Sequence, residues 1–221
     1  MPRSNRFADK IGAIAGVAFV VLLFATIWAV NPQRSVTDEE LLTWWSDSGN
    51  RDWFVFSRYT LLAACPCFLL FVASLRARLR TSVAGTWAET LFACGIVATA
   101  ALGVCAVMRG IVASATRFED DPLPGVDTLR FALNLAYGAW DVFMLFVAVT
   151  IAIASTLALA TSALPRWLGW LGVPIAVVCL ALTASHMAPF AIPLVHVWVL
   201  ATSLYLWRSP STALAAQPWR T

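Results

Sequence analysis

Asp141 is the single acid inside a long apolar stretch, Thr128 to Thr161, and three polar residues lead up to it. Arg130, Asn134, Tyr137 and Asp141 follow at steps of four, three and four, which places them on one narrow face of a helix. Two turns further along, Ala148, Ala152 and Ser155 make the same face thin. A carboxylate at mid-depth in a bilayer costs at least about 2.5 kcal/mol to insert, so it must be paired, protonated or in contact with water. Pairing with Arg58 or Arg109 would fix helix register without any chemical role. A pocket open to the outside, with arginines attracting a lipid headgroup or a small anion, would use the same residues as a binding site. As a general acid or base, Asp141 would serve a membrane-embedded enzyme with a lipophilic substrate, assisted by His196 or Tyr137. A proton or ion pathway would need a relay below it, and that face offers only Ser155. Arg58, Arg109, Arg130, Asn134, Tyr137, Asp141, His186 and His196 are therefore the candidate ligand-binding residues, and Asp141 is the catalytic candidate.

Other chemistries find less in the chain. Two histidines at different depths do not supply the three protein ligands of a catalytic zinc site, so no metal or other cofactor is expected. No phosphate-binding glycine loop, nucleophile elbow or His-Glu-x-x-His motif occurs. The five cysteines all lie in apolar segments, where they act as small hydrophobes, and Cys65-Pro66-Cys67 reads as packing. Short loops leave no nucleic-acid surface; the expected partners are membrane lipids, a lipid or small-anion ligand and a second membrane subunit.

The elements that position these residues are membrane helices. Apolar residues make up 60% of the 221 and charged ones 12%, half the usual share of a soluble domain. Runs of about 20 uninterrupted apolar residues predict an all-α polytopic bundle of six spans, over 11–30, 53–75, 88–108, 128–159, 167–185 and 190–207. These form one transmembrane domain. Gly12 and Gly16 would let a neighbouring helix approach the first span closely. Thr37 and Glu40 form a capping-box pattern ahead of Leu41, Leu42, Trp44 and Trp45, predicting a short interfacial helix. Pro66 predicts a kink in the second span, and Arg76, Arg78 and Arg80 read as a basic loop, with Glu89 pairing with one of them. Asp127 or Thr128 is the expected N-cap of the fourth span.

Basic residues choose the orientation. Arg3, Arg6, Lys10, Arg76, Arg78, Arg80, Arg166, Arg208 and Arg220 fall on the side of the two termini. The opposite loops hold Arg34, Arg51 and Arg117 among nine acids, including Asp38, Glu39, Glu40 and the run Glu119, Asp120, Asp121. Both termini are therefore expected in the cytoplasm and the acidic loops outside. Counted from Thr128, Asp141 would lie about 20 Å down its helix, near mid-membrane.

The tract Leu75-Arg76-Ala77-Arg78-Leu79-Arg80 after the second span, and Leu164-Pro165-Arg166-Trp167-Leu168-Gly169-Trp170 before the fifth, resemble a family of small actinobacterial multi-pass membrane proteins, a domain of unknown function. A capped helix in the first loop, followed by a span rich in small residues, is similar to that family as well. The resemblance implies a fold and a bacterial plasma membrane, and no catalytic residues. A single lysine beside many arginines, alanines and tryptophans suits a high-GC bacterial source. The leading expectation is a binding or accessory membrane protein with an outward polar pocket. An enzyme using Asp141 and a small transporter are the alternatives.

Overall fold

The computed structural model describes residues 3–27, 37–80, 85–115, 124–161 and 163–208. They form seven α-helices: α1 (Arg3–Ile27), α2 (Asp38–Ser46), α3 (Ser48–Leu79), α4 (Gly85–Ala115), α5 (Val126–Ala160), α6 (Arg166–Ala184) and α7 (Ile192–Arg208). A short 3-10 turn, Ala188–Ala191, leads into α7. Six helical segments are long and apolar enough to cross a membrane, so the expected all-α multi-pass bundle is what the chain forms. The acidic run 119–121, Arg34, Arg117 and the tail beyond Arg208 lie outside the described residues.

Neighbours in sequence are mostly neighbours in space: α1 packs on α3, α3 on α4, α4 on α5, and α5 on α6, while α7 closes the ring against α1. Small residues set the close approaches. Gly12 faces Ser74, and Gly95 lies so close to α3 that a β-carbon there would sit 2.7 Å from Val72 Cγ1. Phe19, Phe68 and Phe143 meet at the centre, with ring centroids 4.9 to 6.5 Å apart. At the end carrying both chain termini, Arg78 ties three elements together. Its guanidinium donates to Asp9 on α1 (3.1 Å), to the Tyr205 hydroxyl on α7 (3.0 Å) and to the Ala163 carbonyl (3.1 Å). Glu89 pairs with Arg76 at 2.7 Å and Arg80 at 3.3 Å.

Several boundaries differ from the sequence reading. Arg76 and Arg78 belong to the last turn of α3, where cations suit the negative end of the helix dipole, so the expected basic loop is largely helix. The second span starts at Ser48, five residues ahead of Trp53, because Asp47 accepts the Gly49 amide at 2.8 Å and caps it. Gly125, with no side-chain cap, starts α5 in place of Asp127 or Thr128. The helix α3 runs through Pro66. The capping box of α2 forms as expected, with Glu40 accepting the Thr37 amide at 2.7 Å.

Unequal lengths shape the molecule. With 19 residues, α6 is about 28 Å long, just enough for a hydrocarbon core of ~30 Å. The 35 residues of α5 reach about 52 Å. Only five residues separate these two antiparallel helices, and the end of α6 lies beside Asp141, so the first fifteen or so residues of α5 project beyond it. The beginning of α3 and the end of α4 project with them. Over the three lies α2, and Leu41, Trp45, Phe54, Ala113, Leu129 and Ala132 form a second, separate core. This cap is held further by Arg130, whose Nε and Nη2 both donate to Asp38 Oδ1, at 2.8 and 2.5 Å. Exposed aromatic residues mark both rims of the bundle: Phe7, Trp87, Trp167, Trp170 and Trp207 at the terminal end, Tyr59 and Phe190 at the cap end.

Candidate functional site

Where the cap meets the ends of α1 and α7 there is a cavity of about 150 Å³. Thr26 of α1, Phe54 of α3, Cys105 and Arg109 of α4, Leu133, Ala136, Tyr137 and Trp140 of α5, and Pro189 and Ile192 line it. The four α5 residues fall at i, i+3, i+4 and i+7, one helical face. An apolar cavity of this size takes a benzene-sized molecule, and by water's share of liquid volume it would take about five waters. It is smaller than the 300–1,000 Å³ of drug-sized ligand sites, so it fits a small ion or the head of a larger molecule.

Its electrostatics come from one group. Among the described residues, Arg109 is the charged side chain in the wall and no carboxylate lines it. The guanidinium carbon lies 4.8 Å from the centroid of the Phe54 ring, a cation–π geometry. Phe54 also packs edge-on against Trp44 and Trp45, with centroids 5.1 and 5.0 Å away. The cap core thus fixes the ring on which the cation rests. Trp140 adds an indole N–H that is buried without an acceptor among the described residues. Arg109, Trp140 and the Tyr137 hydroxyl can all donate, which suits a ligand rich in acceptor oxygens.

The structure brings only part of the candidate set together. Arg109 and Tyr137 line the cavity; Arg58, Arg130, Asn134, Asp141, His186 and His196 do not. Arg58 lies across Gly110, one residue from Arg109, where any β-carbon would strike its side chain. Arg130 is tied to Asp38 in the cap. Asn134 is exposed. His196 is buried one turn beyond Ile192, its ring 6.3 Å from that of Phe24.

Asp141 lies beside the end of α6 and not in the cavity wall with Arg109. Its Oδ2 lies 3.7 Å from His186 Nδ1, beside the C-terminus of α6. It therefore lies level with the end of α6, with about four turns of α5 before it. His186 is 75% exposed. It also holds the left-handed position of a Schellman cap, with φ 59°, Met187 N–H donating to the Leu182 carbonyl and His186 N–H to that of Thr183. Half-buried Asp141 and exposed His186 form an acid–imidazole pair next to the cavity wall.

Sequence reasoning missed Phe54, Cys105 and Trp140. The polar residues of α5 point to a face about a quarter-turn away from the one that lines the cavity, because Arg130 and Asn134 serve the cap and its surface. The recurrence of Leu133, Ala136, Tyr137 and Trp140 was the available signal. No three His, Cys, Asp or Glu side chains gather as a metal-binding group among the described residues. No family model, curated protein or solved structure matches this chain.

Proposed function

We propose that this protein is a binding or accessory protein of the bacterial plasma membrane, with both termini in the cytoplasm and the α2 cap outside. Its cavity holds the anionic or acceptor-rich head of a lipid, or a small anion. The observation that carries this reading is the cation Arg109, seated on Phe54 in a wall that has no carboxylate among the described residues, at the level where α1 and α6 end and α7 begins. A headgroup at that level needs no passage through the bundle. Arg76, Arg78, Arg166 and Arg208 at the terminal end support the orientation by the bias of basic residues toward the cytoplasm.

Native mass spectrometry after exchange into detergent with phosphatidylglycerol or phosphatidylcholine, and titration with inorganic phosphate, test it. Selective retention of the anionic lipid, or saturable phosphate binding, lost in Arg109→Gln, is the expected result. Equal retention of both lipids with no phosphate binding would exclude it. The pair Asp141–His186 favours a second reading, an enzyme at the membrane surface in which Asp141 orients His186 as general base. That reading requires turnover of a bound lipid that Asp141→Asn abolishes and Arg109→Gln only weakens.

A further inference from the structure

The Arg109 cavity lies between two apolar cores that do not merge. Cys105, Ala136, Trp140 and Ile192 on its wall belong to the core of the bundle. Phe54 belongs to the core under α2, and Leu133 packs against that core. Helix register carries the same layering. Ala113 of the cap core is one turn beyond Arg109 on α4, and Leu129 and Ala132 are one turn before Leu133 and Ala136 on α5. The cap core is therefore the next layer beyond the cavity, and the ring of Phe54 serves both. It packs against Trp44 and Trp45 of α2 and seats the Arg109 guanidinium.

The helix α2 depends on that contact. It has nine residues, and an isolated helix shorter than about 12–15 residues is marginal in water. Leu41 and Trp45 are its buried side chains. Its C-terminal end is tethered to α3: Asn50 Nδ2 donates to the Trp44 carbonyl at 3.0 Å, and Arg51 Nη1 to those of Trp45 and Ser46 at 2.7 and 3.0 Å. At the other end the exposed pair Asp38–Arg130 adds little. A segment tethered at one end and held down by two buried side chains opens locally before the molecule unfolds. When Trp45 withdraws, Phe54 loses the rings that fix it, and Arg109 loses a fixed seat. A molecule filling the gap between the cores adds contacts to Phe54 and Leu133, which the docked α2 holds in place.

We infer that α2 is a regulatory cap: its docking and the occupancy of the Arg109 cavity stabilise each other through Phe54 and Leu133. This coupling rests on the cavity being an anion site and gives that site a control. Trp45 is then a positioning residue, which touches no ligand and acts through Phe54. Coupling of this kind is reciprocal. The factor by which undocking of α2 weakens binding equals the factor by which saturating ligand holds α2 shut, ordinarily about 5- to 150-fold. Breaking the Asp38–Arg130 pair leaves Trp45 on Phe54, so the ion pair is not the path of the coupling.

Hydrogen exchange of the intact protein in nanodiscs reads the coupling across 38–46, with 166–184 as reference. Nanodiscs of phosphatidylglycerol and of phosphatidylcholine are compared, each with and without inorganic phosphate. Exchange in 38–46 should slow about fivefold or more in phosphatidylglycerol if a headgroup fills the cavity, or on adding phosphate if a free anion does. Arg109→Gln should abolish the slowing. Trp45→Ala should weaken the same binding about fivefold or more, and Trp45→Phe should restore it. The exchange comparison needs no cap variant, so it decides the matter even where Trp45→Ala disturbs folding. Binding that leaves 38–46 unchanged, slows 166–184 equally, or survives Trp45→Ala undiminished overturns the coupling and leaves the anion site standing. Wild-type protein that binds neither phosphatidylglycerol nor phosphate overturns both.

Discussion

Replacing Gly95 by alanine tests how closely α3 and α4 are packed, and Gly138→Ala supplies an internal reference. A β-carbon on Gly95 would lie 2.7, 3.2 and 3.3 Å from Val72 Cγ1, Cβ and Cγ2. Carbon atoms in good contact sit about 3.5–4.0 Å apart, so the overlap approaches 1 Å. Val72 cannot turn away, because a β-branched side chain in a helix has one strongly preferred rotamer and its own β-carbon is among the clashing atoms. The helices must therefore part, at a cost of about 1–3 kcal/mol. Alanine's better helix propensity offsets up to ~1 kcal/mol. Gly138 has nothing within 4 Å of the same added carbon, so there the propensity gain stands alone. Unfolding titrations in mixed micelles should separate the two variants by roughly 1–3 kcal/mol, Gly95→Ala below wild type and Gly138→Ala at or above it. Equal stability of the two would refute the close approach of α3 and α4.

The cap and its rim give three further expectations. Trp45→Ala should release α2, costing about 3–5 kcal/mol locally, whereas Asp38→Asn removes an exposed pair worth about 0–1 kcal/mol; hydrogen exchange across 38–46 distinguishes them. The hydrogen bonds from Thr37 hold the Glu40 carboxyl below the ordinary glutamate range, so its folded value is lower than its unfolded one. Its contribution to α2 is accordingly complete above the unfolded value, about 4.3, and is lost as pH falls through the lower folded value; the acid limb of stability should flatten in Glu40→Gln. His186→Gly relieves a left-handed residue, a gain of about 1 kcal/mol, and loses an exposed contact worth about 0–1 kcal/mol, so thermal stability should stay within about 1 kcal/mol of wild type. A loss above about 2 kcal/mol would mean that Asp141–His186 holds α6 in place.

Elements with local causes were legible in the sequence. Hydropathy located six spans, the Thr37–Glu40 pattern located the α2 cap, and the charge of Glu89 found the arginines one helix away. The projecting cap was not legible, because Phe54, Ala113, Leu129 and Ala132 continue the apolar runs of spans they extend. A hydropathy window cannot tell apolar residues that meet lipid from those that meet Trp45. The neighbours of Asp141 were not legible for the same reason: a count along α5 does not show which turns belong to the cap and which face α6. The cavity was half legible. Arg109 and Tyr137 carry charge and a hydroxyl that draw attention, while Phe54 and Trp140 acquire their roles through tertiary contacts with no local signature.

The proposed anion site depends on Arg109. A charge-assisted hydrogen bond is worth about 1.5–3 kcal/mol, which is roughly a 10- to 150-fold change in affinity. The most direct measurement is the affinity for phosphatidylglycerol in nanodiscs or mixed micelles, compared between wild type and Arg109→Gln, with Arg130→Gln as a control on the cap surface. Arg109→Gln should lose tenfold or more and Arg130→Gln should change little. Equal affinity in wild type and Arg109→Gln, or an equal loss in both variants, would contradict it.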